Sequence, residues 1–350
     1  MRKDMLKTIS PADEAAYAAC IARFDQLAKP VGSLGKFETL LAQIAAVYGS
    51  ADIDIAKKCV LVFCADNGVT AQGVSQSGHD VTTAIARMLI NGKSGVCVMA
   101  KACGADVFPV DVGMVDAVDG ILNRKLVFGT GDITKGPAMT RETAWKAIEL
   151  GIALIKEKKE QGYRLIATGE TGIGNTTTAS AMASILLHAP VETVTGRGAG
   201  LDDEGLLRKR AAIAEAIHVN MADAADPIDV LMKVGGLDIA AMAGAYLGGA
   251  LYRVPVVMDG VISAVAALIA VMLHPLVRDY IIPSHISAEP AARLICEALK
   301  MEPILHADMR LGEGTGAVAL FPLLNMATAV YKNAATFADI AVDAYKRQPC

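Results

Sequence analysis

Aromatic residues and an excess of positive charge are what this sequence most lacks. Aromatic residues make up 5% of the 350 positions, with Trp145 as the single tryptophan, and the formal net charge is −4 at pH 7. A chain without a basic excess has no electrostatic footprint for nucleic acid. Hydrophobic residues nevertheless reach 53%, and there are 32 glycines. This composition is typical of an α/β enzyme rich in small residues, whose helices pack closely on a sheet.

Cysteine pairs and long apolar runs are also absent. The seven cysteines, at positions 20, 59, 64, 97, 103, 296 and 350, form no CxxC motif, so neither a zinc knuckle nor a disulfide framework is predicted. The most apolar run, Val261–Leu273, would span about 20 Å as a helix, less than the ~30 Å core of a bilayer. Because the N-terminus has no apolar signal core either, we expect a cytoplasmic protein that does not bind membranes.

Common catalytic and cofactor motifs are missing as well. GxxxxGK[ST], GxSxG and HExxH do not occur, and the segment GIGNTT lacks the third glycine of GxGxxG. These absences argue against a P-loop nucleotidase, a nucleophile-elbow hydrolase, a zinc protease and an NAD-linked oxidoreductase. We expect neither a metal ion nor a cofactor.

Short apolar runs do alternate with helical patterns along the chain. Strands are predicted at Cys59–Ala65, Asp106–Val112, Arg164–Thr168, Val254–Asp259 and Tyr280–Pro283. Helical patterns separate them, among them Lys36–Tyr48, Arg141–Glu160 and Val261–Leu273. This alternation predicts an α/β fold with a mostly parallel sheet flanked by helices. Helices without strands at both chain ends indicate a small helical domain from residues 1–35 and 301–350, beside a large α/β domain at 36–300.

The segment Gly169–Ser180 (GETGIGNTTTAS) follows a predicted strand and opens a helical pattern. Glycines in such a turn let the backbone approach a ligand closely, and the N–H groups at a helix start favour an anion. A phosphate site is therefore predicted here; a glycine-rich turn without a ligand is the alternative. Glu170 would repel a phosphate, so a ribose hydroxyl or a cation suits it better.

Glu313 stands alone between glycines in the segment RLGEGTG. Burial beside Leu311 and small residues would raise the pKa of its carboxyl group and make it a general base; an exposed loop carboxylate is the alternative. Asp66 and Asp259 end predicted strands and suit either a ribose contact or a turn. Arg197, Lys209 and Arg310 are candidate partners for a phosphate, and His79 and His285 lie in polar loops where either a functional or a structural role is open.

Taken together and in order, these motifs resemble one known family. The segments in question are KPVGSLG, ADNGV, GTGDITKGPAMT, GETGIGNTTTAS, TGRGAGLDD, VGGLDIAAMAG, VVMDGVIS, SHISAE and MRLGEGTGA. From about Lys29 to Leu323 the chain resembles nicotinate-nucleotide–dimethylbenzimidazole phosphoribosyltransferases. The resemblance implies a Rossmann-like sheet with a small helical domain, a dimer, and transfer of phosphoribose from nicotinate mononucleotide to the lower-ligand base of a cobamide (vitamin B12), with release of nicotinate.

The resemblance also implies roles for individual residues. Glu313 falls on the family's general base. The residues that match the nucleotide-binding positions are Glu170, Gly172, Gly174, Asn175, Thr176, Gly198, Lys209, Asp259, Ser287 and Gly312. Arg310 is added to the expected nucleotide-binding residues because of its charge. The proton that the incoming base loses would pass to the single carboxylate of Glu313.

The sequence departs from the family where the incoming base binds. Asn67 replaces a usual histidine, residues 76–80 (QSGHD) replace an aromatic-Pro pair, and Thr171 replaces a usual methionine. We therefore expect Ser77, His79, Thr171 and Leu311 to bind an acceptor other than, or in addition to, dimethylbenzimidazole, such as phenol, p-cresol or a purine. Relatives that use phenols pair two homologous subunits, so the chain is expected to form a homodimer or a heterodimer. A non-catalytic subunit that only binds nucleotide is the alternative function.

Overall fold

A single parallel sheet organises the protein. This computed structural model describes residues 2–345, so Met1 and residues 346–350 of the predicted terminal domain lie outside the described residues. The strands of the described chain are β1 (Lys58–Ala65), β2 (Ala105–Gly113), β3 (Leu122–Asn123), β4 (Leu165–Thr171), β5 (Val256–Met258) and β6 (Ile281–Pro283). Every neighbouring pair is parallel, in the order β3-β2-β1-β4-β5-β6. The α/β class and the parallel sheet predicted from the sequence are thus confirmed.

Helices cover both faces of this sheet. They are α1 (Arg2–Leu6), α2 (Glu14–Gln26), α3 (Lys36–Tyr48), α4 (His79–Ile90), α5 (Gly95–Ala102), α6 (Arg141–Glu160), α7 (Asn175–Leu186), α8 (Val191–Val194), α9 (Asp203–Asn220), α10 (Pro227–Val234), α11 (Leu237–Tyr252), α12 (Val261–Leu273), α13 (Ala291–Ala298) and α14 (Thr315–Asn333). Short 3₁₀ helices occupy Gly68–Gln72, Pro275–Tyr280 and Ala338–Ile340.

The hydrophobic core has two parts because successive side chains of a strand point to opposite faces. In β1, Leu61 and Phe63 face a core built with α6, α7 and α9 to α13. Val60 and Val62 face a second core, built with α2 to α5 and α14. Helices α2 and α14, from opposite ends of the chain, therefore meet in this second core, whereas α1 contributes Leu6 to the first core. The division into domains 1–35 plus 301–350 and 36–300 stays a prediction.

Close packing of α6 on α11 explains the many small residues. A Cβ atom at Gly151 would lie 2.0 Å from the Ala241 carbonyl oxygen, and one at Gly244 would lie 2.0 Å from the Ile148 carbonyl oxygen. Such distances leave no room for a side chain. The two helices therefore approach each other more closely than larger residues would allow.

The end of β4 differs from the sequence prediction. The strand was expected to end at Thr168, but it continues through Gly169, Glu170 and Thr171 and pairs with β1 up to Cys64. The glycine at 169 is needed for packing: a Cβ atom there would lie 2.4 Å from the Glu313 carbonyl oxygen. The prediction that Gly169 belongs to the ligand-binding turn was wrong, and the turn is limited to residues 172–174.

Strand order determines where a ligand can bind. The chain runs outward in opposite directions from β1 and β4, which lie side by side at the centre of the sheet. In open parallel sheets, ligands bind beyond the carboxyl ends of the strands at such a switch point. The segments that follow β1, β4, β5 and β6 meet there, together with the loop before α14.

Candidate active site

A cavity of about 310 Å³ lies at the carboxyl ends of the strands. Thirteen of the sixteen residues predicted to bind or act line it, and they come from six separate segments. These residues are Ser77, Glu170, Thr171, Gly172, Asn175, Thr176, Gly198, Asp259, Ser287, Arg310, Leu311, Gly312 and Glu313. The fold therefore brings together residues that are as far apart in sequence as 77 and 313.

Three predicted residues do not line the cavity. Gly174 and Lys209 lie directly behind its wall, as described below. His79 instead begins α4, where its Nδ1 is 3.2 Å from an Asp66 carboxylate oxygen and its Nε2 is 3.3 Å from the Thr70 hydroxyl. Arg197, a candidate phosphate partner, also lies outside the lining and pairs with Asp203.

Glu313 adopts a backbone conformation that its side chain disfavours. Its φ is +60°, and the flanking Gly312 and Gly314 have φ of +83° and +90°. Left-handed geometry in a residue other than glycine stores strain that the surroundings must hold. The Glu313 N–H donates to the Glu170 carbonyl oxygen at 3.1 Å, which ties this loop to the end of β4.

Asp259 fixes the other side of the same loop. One of its carboxylate oxygens accepts from the Gly314 N–H at 3.1 Å and the other from the Ala317 N–H at 3.0 Å. A carboxylate at these N–H groups caps α14 and is favoured by the helix dipole. Asp259 thus holds the loop that carries Glu313 and also lines the cavity, and its contact with ribose stays a prediction.

The Glu313 carboxyl group is buried and has a raised pKa. The side chain is 8% exposed, and its Oε2 has no hydrogen-bond partner among the described residues. Burial raises its pKa above the usual range and the negative charge of Asp259 adds to this, whereas the Val96 N–H and the Ser94 hydroxyl oppose it. A carboxylate with a raised pKa is a stronger base. An exposed loop carboxylate, the alternative left open by the sequence, is not what the structure shows.

The turn at residues 172–174 and the start of α7 form the opposite wall. A Cβ atom at Gly172 would lie 2.2 Å from the Ala65 carbonyl oxygen, and Gly174 has φ of +94°. Both positions therefore require glycine. The turn places the N-terminal end of α7 at the cavity, where the helix dipole favours an anion.

Lys209 supplies a positive charge behind this end of α7. The side chain is fully buried, and its ammonium group donates to the Thr176 hydroxyl at 2.7 Å. A Cβ atom at Gly198 would lie 2.7 Å from that hydroxyl and 3.0 Å from the Lys209 Nζ. Burial lowers the pKa of Lys209 to about 8, although the Glu289 charge opposes this. Thr176, Gly198 and Lys209 therefore converge on one small polar region.

Asn175 links two acidic side chains in the cavity wall. Its side-chain amide donates to Glu170 and, at 3.0 Å, to Asp238, so these N–H groups are used within the protein, and its nucleotide-binding role stays a prediction. Burial raises the pKa of Glu170 to about 8, with the charges of Asp238 and Asp259 adding to this, and burial raises that of Asp238 to about 6. Glu170 is thus a largely neutral acid in the cavity wall near pH 7.

A pH-dependent stability is expected from Glu170. The folded protein keeps its proton between the unfolded pKa of 4.5 and the folded pKa of about 8, so stability should fall as pH rises through that window, by on the order of a few kcal/mol. The variant Glu170→Gln should show a flatter profile of unfolding free energy, measured with urea at pH 5.5, 7 and 8.5. The exposed-site control Glu160→Gln should keep the wild-type slope; a Glu170→Gln slope equal to wild type would contradict this assignment.

Asp238 was not among the predicted site residues, and the role of His285 was left open. Asp238 lies two residues after the glycine pair of KVGGLD, but only the folded chain shows that it contacts Asn175. His285 lies two residues after the end of β6, lines the cavity and is 4% exposed. Residues that act through a tertiary contact leave little trace in a single sequence.

Within residues 2–345, no group of three or more His, Cys, Asp or Glu side chains is arranged to hold a metal ion. In the same part of the chain, no helix combines the length and the apolarity needed to cross a membrane.

Comparisons with known proteins agree with this geometry. A family model described as "Phosphoribosyltransferase" matches residues 9–342. Proteins named nicotinate-nucleotide–dimethylbenzimidazole phosphoribosyltransferase are similar over nearly their whole length. The one from Acetivibrio thermocellus is 47% identical over 93% of each chain, and the one from Clostridium acetobutylicum is 44% identical over 98% of each. A crystal structure of the protein of that name from Thermus thermophilus superposes with a TM-score of 0.88 at 37% identity, covering 95% of this chain and 99% of that one.

Proposed function

The chain belongs to the nicotinate-nucleotide–dimethylbenzimidazole phosphoribosyltransferase family, and from this premise we propose how it acts. It moves the 5-phosphoribosyl group of nicotinate mononucleotide to an aromatic lower-ligand base. The products are an α-riboside phosphate for cobamide synthesis and free nicotinate. The observation that carries this proposal is the buried, unpaired carboxylate oxygen of Glu313, which faces the same cavity as the start of α7.

The nucleotide occupies the side of the cavity formed by the turn at residues 172–174. Its phosphate lies at the N-terminal end of α7, within reach of Thr176 and the charge of Lys209, whose polar atoms pack against Gly198. The ribose lies between this end and Ser287, Asp259 and Gly312 on the neighbouring loops. Arg310 is exposed at the cavity edge and contributes a longer-range attraction to the phosphate.

The acceptor occupies the side nearest Glu313. Thr171, Ser77 and the exposed Leu311 line this part together with Val81 and Ile85. Glu313 takes the proton that the acceptor loses as its nitrogen or oxygen bonds to C1′ of the ribose. Placement of one base within hydrogen-bond reach contributes about 10²- to 10⁴-fold to the rate.

The bond changes require no further reagent. The acceptor attacks C1′ from the face opposite nicotinate, the C1′–N bond breaks, and its electron pair returns to the pyridinium nitrogen. Nicotinate leaves as a neutral ring system, which makes it a good leaving group. The attack from the opposite face inverts C1′ and gives the α product. Holding the two substrates in line adds to the rate, because the translational and rotational entropy has already been lost on binding.

The acceptor range is proposed to extend beyond dimethylbenzimidazole. Thr171 is buried in the lining and Ser77 is half-buried there, so this wall offers hydroxyl groups in place of a methionine side chain. Hydroxyl groups at this wall suit a phenol, p-cresol or a purine, whose polar atoms can be paired. The chain is further proposed to work as a dimer, with a second copy or with a homologous chain.

A panel of acceptors tests this part of the proposal. Phenol, p-cresol and adenine should each be used with kcat/KM within about 10-fold of dimethylbenzimidazole, and Thr171→Met should shift the preference towards dimethylbenzimidazole by about 10-fold, the size expected for one altered pocket contact. The matched control Thr193→Met, on exposed helix α8, should leave the preference unchanged. A strong preference of the wild type for dimethylbenzimidazole over the other three would contradict the proposal that the enzyme accepts a wider range of acceptors.

A further inference from the structure

The imidazole of His285 is held in one orientation in the cavity wall. A Cβ atom at Gly316 would lie 1.9 Å from its Nδ1, so the start of α14 packs directly on that edge of the ring. The backbone is also fixed, since the Leu305 N–H donates to Ser284 and the Ile286 N–H donates to Leu305. The side chain has little freedom to turn its ring over.

A chain of hydrogen bonds determines which ring nitrogen carries the proton. The Ser284 hydroxyl donates its single hydrogen to the Met258 carbonyl oxygen at 2.5 Å. Its oxygen can then only accept, and the atom beside it is the Nδ1 of His285 at 3.2 Å. Nδ1 must therefore be the N–H donor, and the hydrogen-bond network fixes this tautomer.

The other nitrogen, Nε2, is left as an acceptor facing the cavity. Burial lowers the pKa of His285 below its usual value, although the charge of Asp259 opposes this, so the ring is neutral near pH 7. Within residues 4–345, no side chain or backbone N–H donates to Nε2. The place where a Cβ atom of Gly260 would lie is 3.7 Å from Nε2 and from the Ser287 Cβ, which puts this acceptor beside the nucleotide-binding residues.

An acceptor of this kind selects its partner by chemistry. Phosphate and carboxylate groups of a nucleotide only accept hydrogen bonds near pH 7. The ribose hydroxyls are the donors that nicotinate mononucleotide offers. Resting on the function proposed above, we infer that the Nε2 of His285 accepts a hydrogen bond from a ribose hydroxyl of the donor nucleotide. His285 thereby makes the enzyme specific for ribose over deoxyribose, and Ser284 is the positioning residue that fixes the tautomer.

Deoxy analogues of the substrate test this inference. The dissociation constants of nicotinate mononucleotide and of its 2′-deoxy and 3′-deoxy forms are measured by calorimetry, and nicotinate release is followed separately. The wild type should bind one of the deoxy analogues about 10- to 100-fold more weakly, because the site is then left with an unpaired buried acceptor. His285→Phe has no acceptor on its ring and should reduce that ratio to about 3-fold or less. Removing the ligand hydroxyl and removing the imidazole delete the same hydrogen bond, so the two changes should not be additive.

Two further variants keep the test decisive if His285→Phe does not fold. His285→Gln retains an acceptor oxygen and should keep part of the discrimination against the deoxy analogue. Ser284→Ala removes the oxygen that accepts from the Nδ1–H, so the proton can move to Nε2, and the discrimination should fall although the ring is still present. A wild type that binds all three nucleotides equally, or variants that keep the full ratio, would overturn the inference alone. If the wild type discriminates against a deoxy analogue as expected but releases no nicotinate, the proposed function alone is overturned. If the wild type does not bind nicotinate mononucleotide, both are overturned.

Discussion

Replacing Glu313 with glutamine is expected to lower kcat by about 10²- to 10⁴-fold, the contribution of a well-placed general base. Glutamine keeps the size of the side chain and can still accept a hydrogen bond, but it cannot take a proton. The strained loop is held by backbone bonds to Glu170 and Asp259, which the substitution leaves in place. The dissociation constant of nicotinate mononucleotide should therefore stay within about 3-fold of wild type, since a base acts in the transition state and not in ground-state binding.

Steady-state kinetics and calorimetry on the same preparations check this prediction. Glu302→Gln serves as the control, because Glu302 is an exposed glutamate in the same segment and pairs only with Lys36 at the surface. Its kcat should equal that of the wild type. Turnover of Glu313→Gln within a factor of about three of wild type would remove Glu313 from its role.

The second large effect is expected at Lys209. Lys209→Met should weaken binding of nicotinate mononucleotide by about 10- to 100-fold, the range for a lost hydrogen bond to a charged group. The effect should be specific to the phosphate. Nicotinate riboside, which lacks the phosphate, should bind the variant and the wild type alike.

Isothermal calorimetry with both ligands measures this difference directly. Arg208→Met is the matched control, because Arg208 is the preceding residue of α9 and is exposed, with only a distant partner in Glu204 at 3.9 Å. It should not change either dissociation constant by more than about 2-fold. If Lys209→Met weakened both ligands equally, the lysine would support the fold and would not act on the phosphate.

Much of the architecture could be predicted because its signals are local. Val261–Leu273 is apolar apart from Ser263, Arg141–Glu160 and Lys36–Tyr48 carry a helical period, and all three helices have the predicted bounds. Strand β3 has two residues and α10 has eight, Pro227–Val234, too few to give a period, and neither was predicted. The local sequence pattern is sufficient to predict the bounds of an element where the element is long and its environment is uniform.

Glycines were harder to interpret. Gly169 and Gly172 are close in sequence, and both suggest a turn, yet the first lies within β4 and the second in the turn. What separates them is a neighbour 144 positions away, the Glu313 backbone that crosses over Gly169. Such a contact has no local signature, so the length of β4 could not be read from the segment.

In the candidate site, too, features with a local sequence pattern could be predicted, whereas features that depend on tertiary contacts could not. Glu313 could be predicted because a lone carboxylate between glycines is unusual and because the segment resembles a known motif. The partnership of Asn175 with Glu170 and Asp238, and the proton position on His285, depend on tertiary contacts. Residue types indicate which chemistry is available, and the fold decides which groups are left free to perform it.

The central claim is that this chain transfers phosphoribose from nicotinate mononucleotide to an aromatic base. The most direct measurement is incubation of the purified protein with nicotinate mononucleotide and dimethylbenzimidazole, with the products separated by chromatography and identified by mass. We expect nicotinate and the α-riboside phosphate to form in equal amounts over many turnovers. Intact nucleotide after the same incubation, from a protein that still binds it, would contradict the claim and indicate a subunit that binds nucleotide without catalysis.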